Sequence, residues 1–256
     1  MLRNFTTAFQ FLTIFTINKK QTIAEGDLAK SMVYFPAVGF VIGLILVYAD
    51  KAFTLAALPP TIGNFLLIAL SVLVTRALHI DGFADTCDGL MGGRDHESRL
   101  AIMKDSRLGT AGALGILFIV FIKYLCLNNL FSGEKVAALL TAPLLGRWSQ
   151  TLMVYKANYG REQGLAKDFV GHLRASSLTA SSVVAVALSA FVIIRGDIRS
   201  IFLIITVTFG VLACTLLGKR FLVKRLGGVT GDAIGAVSEL NEVLVFLLCV
   251  IFSSAN

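Results

Sequence analysis

The sequence has few charged residues, no internal repeat and no patterned cysteines. Only 15% of its 256 residues are charged, whereas a soluble domain typically has about 25%, so the chain cannot cover a globule with polar surface. This scarcity excludes a soluble enzyme, a disordered regulator and a nucleic-acid-binding module. Its four cysteines have no regular spacing, which excludes a disulfide framework and a zinc site.

Apolar residues are abundant, at 56% of the chain with a mean hydropathy of +0.79. Runs with few or no charges predict seven transmembrane helices, because about 20 apolar residues span a bilayer core. We therefore expect an all-α, polytopic membrane helical bundle, a single domain over residues 1–256, in which the first seventeen residues form an interfacial or partly inserted helix. The predicted spans are Ser31–Ala49, Ala52–Thr75, Leu108–Phe131, Val136–Tyr155, Ala175–Ile194, Ser200–Gly218 and Ala233–Phe252.

Basic residues are distributed unevenly between the two sides of these spans. With Arg147 counted at a span end, seventeen of the 23 lie on the side of the N-terminus and of the loops around 81–107, 156–174 and 219–232, against four on the other: Lys51, Lys135, Arg195 and Arg199. Because basic loops stay in the cytoplasm, the richer side is expected to be cytoplasmic. Most acidic residues crowd toward the same face, which is where we expect the chemistry. Lys123, inside a span, is expected to snorkel to an interface.

The densest acidic group is the run DGFADTCDGLMGGRD, which begins at Asp81. At about 100° per residue, Asp81, Asp85 and Asp88 point within roughly 60° of one direction on a helix. Like charges on one helical stripe repel unless a divalent ion lies between them. Oxygen-only ligands suit Mg²⁺ or Mn²⁺ better than zinc. The stripe therefore predicts that these three aspartates bind Mg²⁺, which could hold a diphosphate.

Glycines and cations beside the acidic run are typical of a phosphate site. Glycine lets backbone N–H groups approach phosphate oxygens closely, and neighbouring cations can hold the remaining phosphate charge. The alternative interpretation is a solvated juxtamembrane face. The residues expected to contact substrate or phosphate, including two from elsewhere in the chain, are Gly92, Gly93, Arg94, Lys104, Asp105, Arg107, Arg147 and Thr230.

A second acidic motif opens the last predicted span. Asp232 and Glu239 are seven residues apart and share a helix face, and Glu242 lies about one turn further on. Ionisable groups within a span are expensive and usually functional. The alternative is that the two glutamates form structural ion pairs with Arg76 or Arg147.

Taken together, these motifs resemble the cobalamin synthase family. The resemblance runs nearly end to end, in order, and its first and last motifs are long enough to be specific. The sequence departs from the family at Ile17-Asn18, where a proline-containing turn is usual. The residues that carry the resemblance are Asp81–Gly89 with Gly92–Asp95, Met103–Arg107, Gly227–Ala236 with Glu239 and Glu242, Tyr34–Gly39, and Pro143 with Gly146–Arg147.

The resemblance implies a transferase of late cobalamin biosynthesis in the prokaryotic cytoplasmic (inner) membrane, active on the cytoplasmic face. Such an enzyme joins α-ribazole or its 5′-phosphate to adenosylcobinamide-GDP and releases GMP, with Mg²⁺ as cofactor. The expected partners are these small molecules and membrane lipid, with no nucleic acid; a homo-oligomer stays open. The candidate catalytic residues are Asp81, Asp85, Asp232 and Glu239, with Asp105 as another candidate base.

Two other functions compete with this one. A CDP-alcohol phosphotransferase of phospholipid synthesis performs the same kind of chemistry, but its pattern requires an arginine after an alanine where this chain has Asp85 after Ala84. A membrane transporter would also suit seven spans with buried charges. Against a transporter, the acids gather at one face and no inverted repeat is visible.

Overall fold

The computed structural model describes residues 2–19, 24–164, 166–194 and 198–254. Lys20 and Arg195, which enter the count of basic residues by side, lie outside the described residues. Within the described part the regular structure is helical. Its helices are α1 (Leu2–Leu12), α2 (Asp27–Ser31), a 3-10 turn (Met32–Tyr34), α3 (Phe35–Leu55), α4 (Pro60–Val74), α5 (Leu78–Gly92), α6 (His96–Ile102), α7 (Thr110–Asn128), α8 (Ser132–Val154), α9 (Ala166–His172), α10 (Ala175–Ile193), α11 (Ile198–Leu226) and α12 (Gly231–Ser254).

Several of these helices are long and apolar enough to cross a membrane. Among the described residues five segments qualify, and the pair α4 and α5, bent by 89°, makes a sixth candidate. The five are Asp27–Leu55, Thr110–Asn128, Ala175–Ile193, Ile198–Leu226 and Gly231–Ser253. The expected polytopic bundle is confirmed, and the chain is an integral membrane protein. The predicted count of seven spans is too high by this criterion, because α8, which matches the predicted span Val136–Tyr155, is not among the qualifying segments of the described residues.

The boundary between the first two predicted spans was placed wrongly. Helix α3 continues through Asp50 and Lys51 to Leu55, and α4 begins only at Pro60. Proline is favoured at the first helical position because its missing N–H is not needed there. The predicted start of the second span at Ala52 is therefore too early, and the first eight residues of that predicted span belong to the preceding helix and loop.

Helix α8 forms the centre of the bundle, where α3, α10, α11 and α12 pack around it. It matches the predicted span Val136–Tyr155 but is less apolar than the other long helices and almost wholly buried from Ala137 onward. Glycines on α3 allow the closest approach: a Cβ atom at Gly39 would lie 2.3 Å from the carbonyl oxygen of Pro143. This is the small-residue helix packing common in membrane proteins.

A sharp bend after α4 turns the chain into α5, the helix that carries the acidic run. Arg76 and Ala77 adopt positive φ angles of 53° and 56°, and the two helices meet at 89°. The Arg76 guanidinium donates to the carbonyl oxygens of Gln10 and Phe11 at 3.3 and 3.2 Å. The expected N-terminal helix, α1, is thus attached to the bundle at this bend.

Candidate functional site

Two glycines bring the two acidic motifs together. A Cβ atom at Gly82 would lie 2.8 Å from Cα of Asp232, and one at Gly235 would lie 3.1 Å from the carbonyl oxygen of His79. Only glycine permits α5 and the start of α12 to pack this closely. The motifs around Asp81 and Asp232, about 150 residues apart in sequence, therefore form one surface.

Beside this contact lies the site cavity, a space of about 860 Å³ including its open mouth. It is enclosed by the N-terminal helices, α5, the loop before α9, α9 itself and the start of α12. Its polar lining comes from His79, Asp81, Gln150, Arg161 and Asp232.

Arg161 is the cation of this cavity. Its guanidinium donates to Asp232 at 2.6 Å and to the carbonyl oxygen of Met103 at 3.4 Å. The loop that carries it is fixed by a short bridge between Tyr159 and Val229, next to the glycine turn before α12. Sequence reasoning missed Arg161. Its loop contains several basic residues and has no helical or strand periodicity, so nothing in the sequence distinguishes Arg161 from the other cations.

Asp85 lies among the other carboxylates of the two motifs. It is half-buried, and its environment includes the negative charges of Asp232 and Asp81, the positive charge of Arg161 and, more weakly, the charge of Asp88. A desolvated carboxylate surrounded by like charges is unfavourable unless a cation compensates it. The surroundings of Asp85 therefore suit a bound cation.

Asp88 has a different environment. Its two carboxylate oxygens accept hydrogen bonds from the backbone N–H groups of Gly109 and Gly112, each at 2.8 Å, at the start of α7. A carboxylate is favourable at a helix N-terminus. Together with Gly92, Asp105 and Arg107, it lines an open groove separate from the site cavity. The predicted stripe is thus divided between two surfaces, with Asp85 between them.

The donor set fits Mg²⁺ only in part. Among the described residues no three His, Cys, Asp or Glu side chains are grouped closely enough to hold a metal ion. Mg²⁺ commonly takes one or two carboxylates, several waters and substrate phosphate oxygens instead of a complete protein cage. Asp81 and Asp85, oxygen ligands beside the cavity, satisfy that pattern, whereas Asp88 is engaged by α7. The three-aspartate site stays a prediction.

The glycines of the acidic run mostly face protein atoms. A Cβ atom at Gly93 would lie 2.6 Å from the backbone nitrogen of Arg99, and one at Gly92 would lie 3.0 Å from the side chain of Ile102. Close packing against α6 explains these glycines without a ligand. Arg94 and Lys104 are exposed near this end of α5, so the predicted phosphate contacts of these four residues stay predictions.

Asp105 and Arg107 are paired with each other in the loop before α7. The Arg107 guanidinium donates to both carboxylate oxygens of Asp105, at 3.0 to 3.1 Å from Nε and 2.6 Å from one terminal nitrogen. These hydrogen bonds from Arg107 lower the pKa of Asp105 to about 2. A carboxylate held so acidic is a poor general base, so the geometry disfavours Asp105 in that role.

The two glutamates of α12 lie in a buried ion cluster. Lys123 Nζ donates to Glu239 and to Glu242, each at 2.6 Å, and Glu242 also accepts from Arg147. The alternative interpretation, structural ion pairing, holds for Glu242 with Arg147, whereas the bridge of Glu239 is to Lys123 and Arg76 is not part of the cluster. The expectation that Lys123 snorkels is wrong: only 7% of the residue is exposed, because two carboxylates of α12 provide it with partners inside the bundle.

Two further predicted site residues, Arg147 and Thr230, have hydrogen-bond partners within the protein. The other terminal nitrogen of Arg147 lies 3.3 Å from Nδ1 of His79; since a guanidinium only donates, Nδ1 accepts and the ring proton is on Nε2. Thr230 is fully buried, and its hydroxyl accepts from the backbone N–H of Ala233 at 3.1 Å. Thr230 therefore caps the start of α12, and its predicted contact with substrate stays untested.

Comparison with known proteins gives a consistent set of matches. A family model described as cobalamin-5-phosphate synthase matches residues 4–250. A protein of Geotalea daltonii named adenosylcobinamide-GDP ribazoletransferase is 39% identical over 254 residues, covering 98% of each chain. Proteins with the same name from Syntrophobacter fumaroxidans and Clostridium novyi are 39% and 32% identical, covering 96% and 100% of this chain and 97% and 99% of their own. No solved structure matches.

Proposed function

Because the chain belongs to the cobalamin-5-phosphate synthase family, and is therefore a transferase of cobalamin biosynthesis, we propose that it transfers an adenosylcobinamide phosphoryl group to α-ribazole or its 5′-phosphate. Adenosylcobinamide-GDP is the donor and GMP is the leaving group. The same relatives are not named as CDP-alcohol phosphotransferases or transporters, so neither competing function is proposed.

One observation supports the site: the contact of Gly82 with Asp232 places both acidic motifs of the family resemblance on one cavity. The carboxylates there come from two distant parts of the chain. If these carboxylates only stabilised the fold, they would not need to lie beside one cavity with Arg161, close enough for their negative charges to repel one another. Phosphoryl transfer depends mainly on such positioning and on charge stabilisation.

In the proposed reaction a ribose hydroxyl of the nucleoside attacks the phosphorus on the cobinamide side of the diphosphate. The new O–P bond forms, the bridging P–O bond breaks, GMP leaves with its electron pair, and the hydroxyl proton moves to a base. Asp232 lines the cavity and, although Arg161 donates to it at 2.6 Å, it also lies near the like charges of Asp81 and Asp85, so we assign it the proton. Glu239 is held by Lys123 within the ion cluster, which makes it a weaker candidate.

Asp81 and Asp85 would hold Mg²⁺, with Asp88 as a third ligand if it leaves the start of α7. When bound, Mg²⁺ neutralises charge on the diphosphate and on the leaving GMP. Arg161 would balance charge on the phosphoryl group within the cavity. Arg107 lines the separate groove with Asp88, so any phosphate contact that it makes would lie outside the cavity. The site end of the bundle is proposed to face the cytoplasm, where the basic loops are found.

The test uses the purified chain in lipid nanodiscs with adenosylcobinamide-GDP, α-ribazole and Mg²⁺. The expected products are a cobamide and an equal amount of GMP, identified by liquid chromatography and mass spectrometry. A parallel reaction with α-ribazole 5′-phosphate compares the two acceptors. Absence of both products, with release of CMP from a CDP-alcohol under the same conditions, would overturn the proposal.

A further inference from the structure

The site cavity has two unlike walls. The polar wall carries Asp81, Asp232 and Arg161, whereas another part of the lining, the aromatic wall, is apolar. The aromatic wall consists of Phe11, Phe35 and Phe169, with Met32 beside them. The proposed phosphoryl chemistry makes use of the first wall and leaves the second without a role.

The rings of the aromatic wall come from three separate elements and contact one another. Phe11 of α1 and Phe35 of α3 are stacked with their centroids 6.1 Å apart and their planes at 14°. Phe169 of α9 meets both rings edge-on, at 5.1 Å from Phe11 and 5.8 Å from Phe35. These are favourable geometries for aromatic pairs, so the wall is a defined apolar surface built against one side of the cavity.

We propose that the aromatic wall binds the base of the acceptor nucleoside, so that its ribose reaches the carboxylates of the polar wall in the same cavity. This inference rests on the proposed function and adds the place and orientation of the acceptor. A flat base gains stacking and apolar contact from Phe11 and Phe169, as bases do on aromatic platforms in other proteins. The ribose hydroxyl would then lie on the side of Asp232.

The base of the acceptor and the guanine of the donor differ in the hydrogen-bonding groups at their edges. The base of α-ribazole is a dimethylbenzimidazole, whose outer edge carries methyl groups instead of hydrogen-bonding groups. Guanine presents several donors and acceptors at its edge, and each would need a partner once it is buried. A wall of Phe11, Met32, Phe35 and Phe169 offers no side-chain hydrogen bonds. The wall therefore favours the acceptor base over the guanine of the donor.

The test measures steady-state kinetics of the full chain in nanodiscs with either substrate varied. In Phe169→Leu and Phe11→Leu, KM for α-ribazole is expected to rise about 5- to 100-fold, because one stacking partner is lost, while KM for adenosylcobinamide-GDP stays within about twofold. Phe246→Leu is the matched control: Phe246 is 5% exposed, as buried as Phe169 at 4%, but does not line the site cavity. It should leave both KM values near those of the parent chain.

Specificity provides a second measurement. The parent chain is expected to prefer α-ribazole over an α-riboside of adenine, and Phe169→Leu should reduce that preference by loss of affinity for α-ribazole. A rise only in KM for adenosylcobinamide-GDP would overturn the inference, since guanine or the corrinoid would then occupy the wall. Unchanged KM values in variants that remain folded would overturn it as well.

Direct binding separates failure of this inference from failure of the proposed function. Equilibrium dialysis with α-ribazole compares the parent chain, Phe169→Leu and Phe246→Leu without requiring turnover. If the parent chain makes no cobamide, the proposed function fails. Weaker binding in Phe169→Leu alone would still support the wall as a site for this base, and equal binding in all three would reject it.

Discussion

Asp85 is the residue on which the two acidic motifs converge. Its carboxylate is half-buried and experiences the charges of Asp232, Asp81 and Asp88. The cation that offsets these charges is Arg161, which is already engaged with Asp232. An additional cation at Asp85 would remove the repulsion, which is the physical reason to place Mg²⁺ there.

The prediction for Asp85 concerns turnover. Asp85→Asn keeps the shape of the side chain but removes its charge, and kcat is expected to fall at least about 100-fold. Stimulation by added Mg²⁺ should weaken in parallel. Asp95→Asn is the control, because Asp95 caps α6 outside the cavity. Full Mg²⁺-dependent turnover in Asp85→Asn would show that the metal role is assigned wrongly.

Asp105 gives a prediction about pH. Because hydrogen bonds from Arg107 lower its pKa to about 2, Asp105 is ionised at every pH at which the protein can be assayed, and its charge is lost only as the pH falls through about 2. Asp105→Asn is therefore expected to leave the acidic limb of the pH–rate profile in place. Profiles of kcat between pH 5 and 9 would be compared with those of the parent chain. Disappearance of the acidic limb would restore Asp105 as a candidate base.

At the scale of elements, the contact between α5 and α12 holds the cavity together. Gly82→Ala would place a methyl group 2.8 Å from Cα of Asp232, and backbone cannot move aside as a flexible side chain can. We expect a loss of about 1–3 kcal/mol of stability and a larger loss of activity, since the two motifs would separate.

The matched control for Gly82→Ala is Gly171→Ala in α9, where an added Cβ atom would meet no atom within 4 Å. Thermal unfolding and turnover would be measured for both variants. Equal behaviour of the two substitutions would contradict the importance of the α5–α12 contact.

The buried ion cluster joins α7, α8 and α12. Lys123→Met would leave two carboxylates with Arg147 as their remaining cation, and removing one member of a buried pair costs about 3–5 kcal/mol. Lys51→Met, at an exposed position on α3, is the control. Thermal unfolding in detergent should separate the variants by many degrees. Restoration of much of the stability by the double substitution Lys123→Met with Glu239→Gln would identify uncompensated charge as the cause.

At the scale of the whole molecule, the side of the membrane that the cavity faces is open to direct measurement. In a background lacking the four native cysteines, Lys104→Cys and Leu55→Cys place exposed thiols at the site end and at the far end of α3. A membrane-impermeant maleimide should label Leu55→Cys in intact cells and Lys104→Cys only after lysis. The reverse pattern would place the site outside the cytoplasm.

Hydrophobic runs located the long helices, because length and apolarity determine what can cross a bilayer, but they gave seven spans where the described residues hold five candidates, or six with the bent pair. They did not predict the bend before α5, which depends on positive φ angles at Arg76 and Ala77, neither of which is a glycine. The bend decides where the acidic helix lies. Because neither residue is a glycine or a proline, the amino-acid composition of the segment does not predict the bend.

The candidate site could be predicted only as two motifs, and its assembly could not. Helical spacing correctly places Asp81, Asp85 and Asp88 on one helix, but the start of α7 takes Asp88, a contact with no local signal. Arg161 belongs to a loop without periodicity. The partner of Lys123 is 116 residues away, and no rule of spacing connects residues at that separation.

The ion cluster of Lys123 and Arg147 affects how the chain inserts into the membrane and folds during synthesis. The ribosome delivers both cations, on α7 and α8, well before the carboxylates of Glu239 and Glu242 on α12. A lysine or arginine alone at the centre of a bilayer costs about 2.5–3.5 kcal/mol on insertion scales. Until α12 inserts, Lys123 and Arg147 lack the carboxylates of Glu239 and Glu242 as counterions. We therefore expect the insertion of α12 to complete the folding of the bundle.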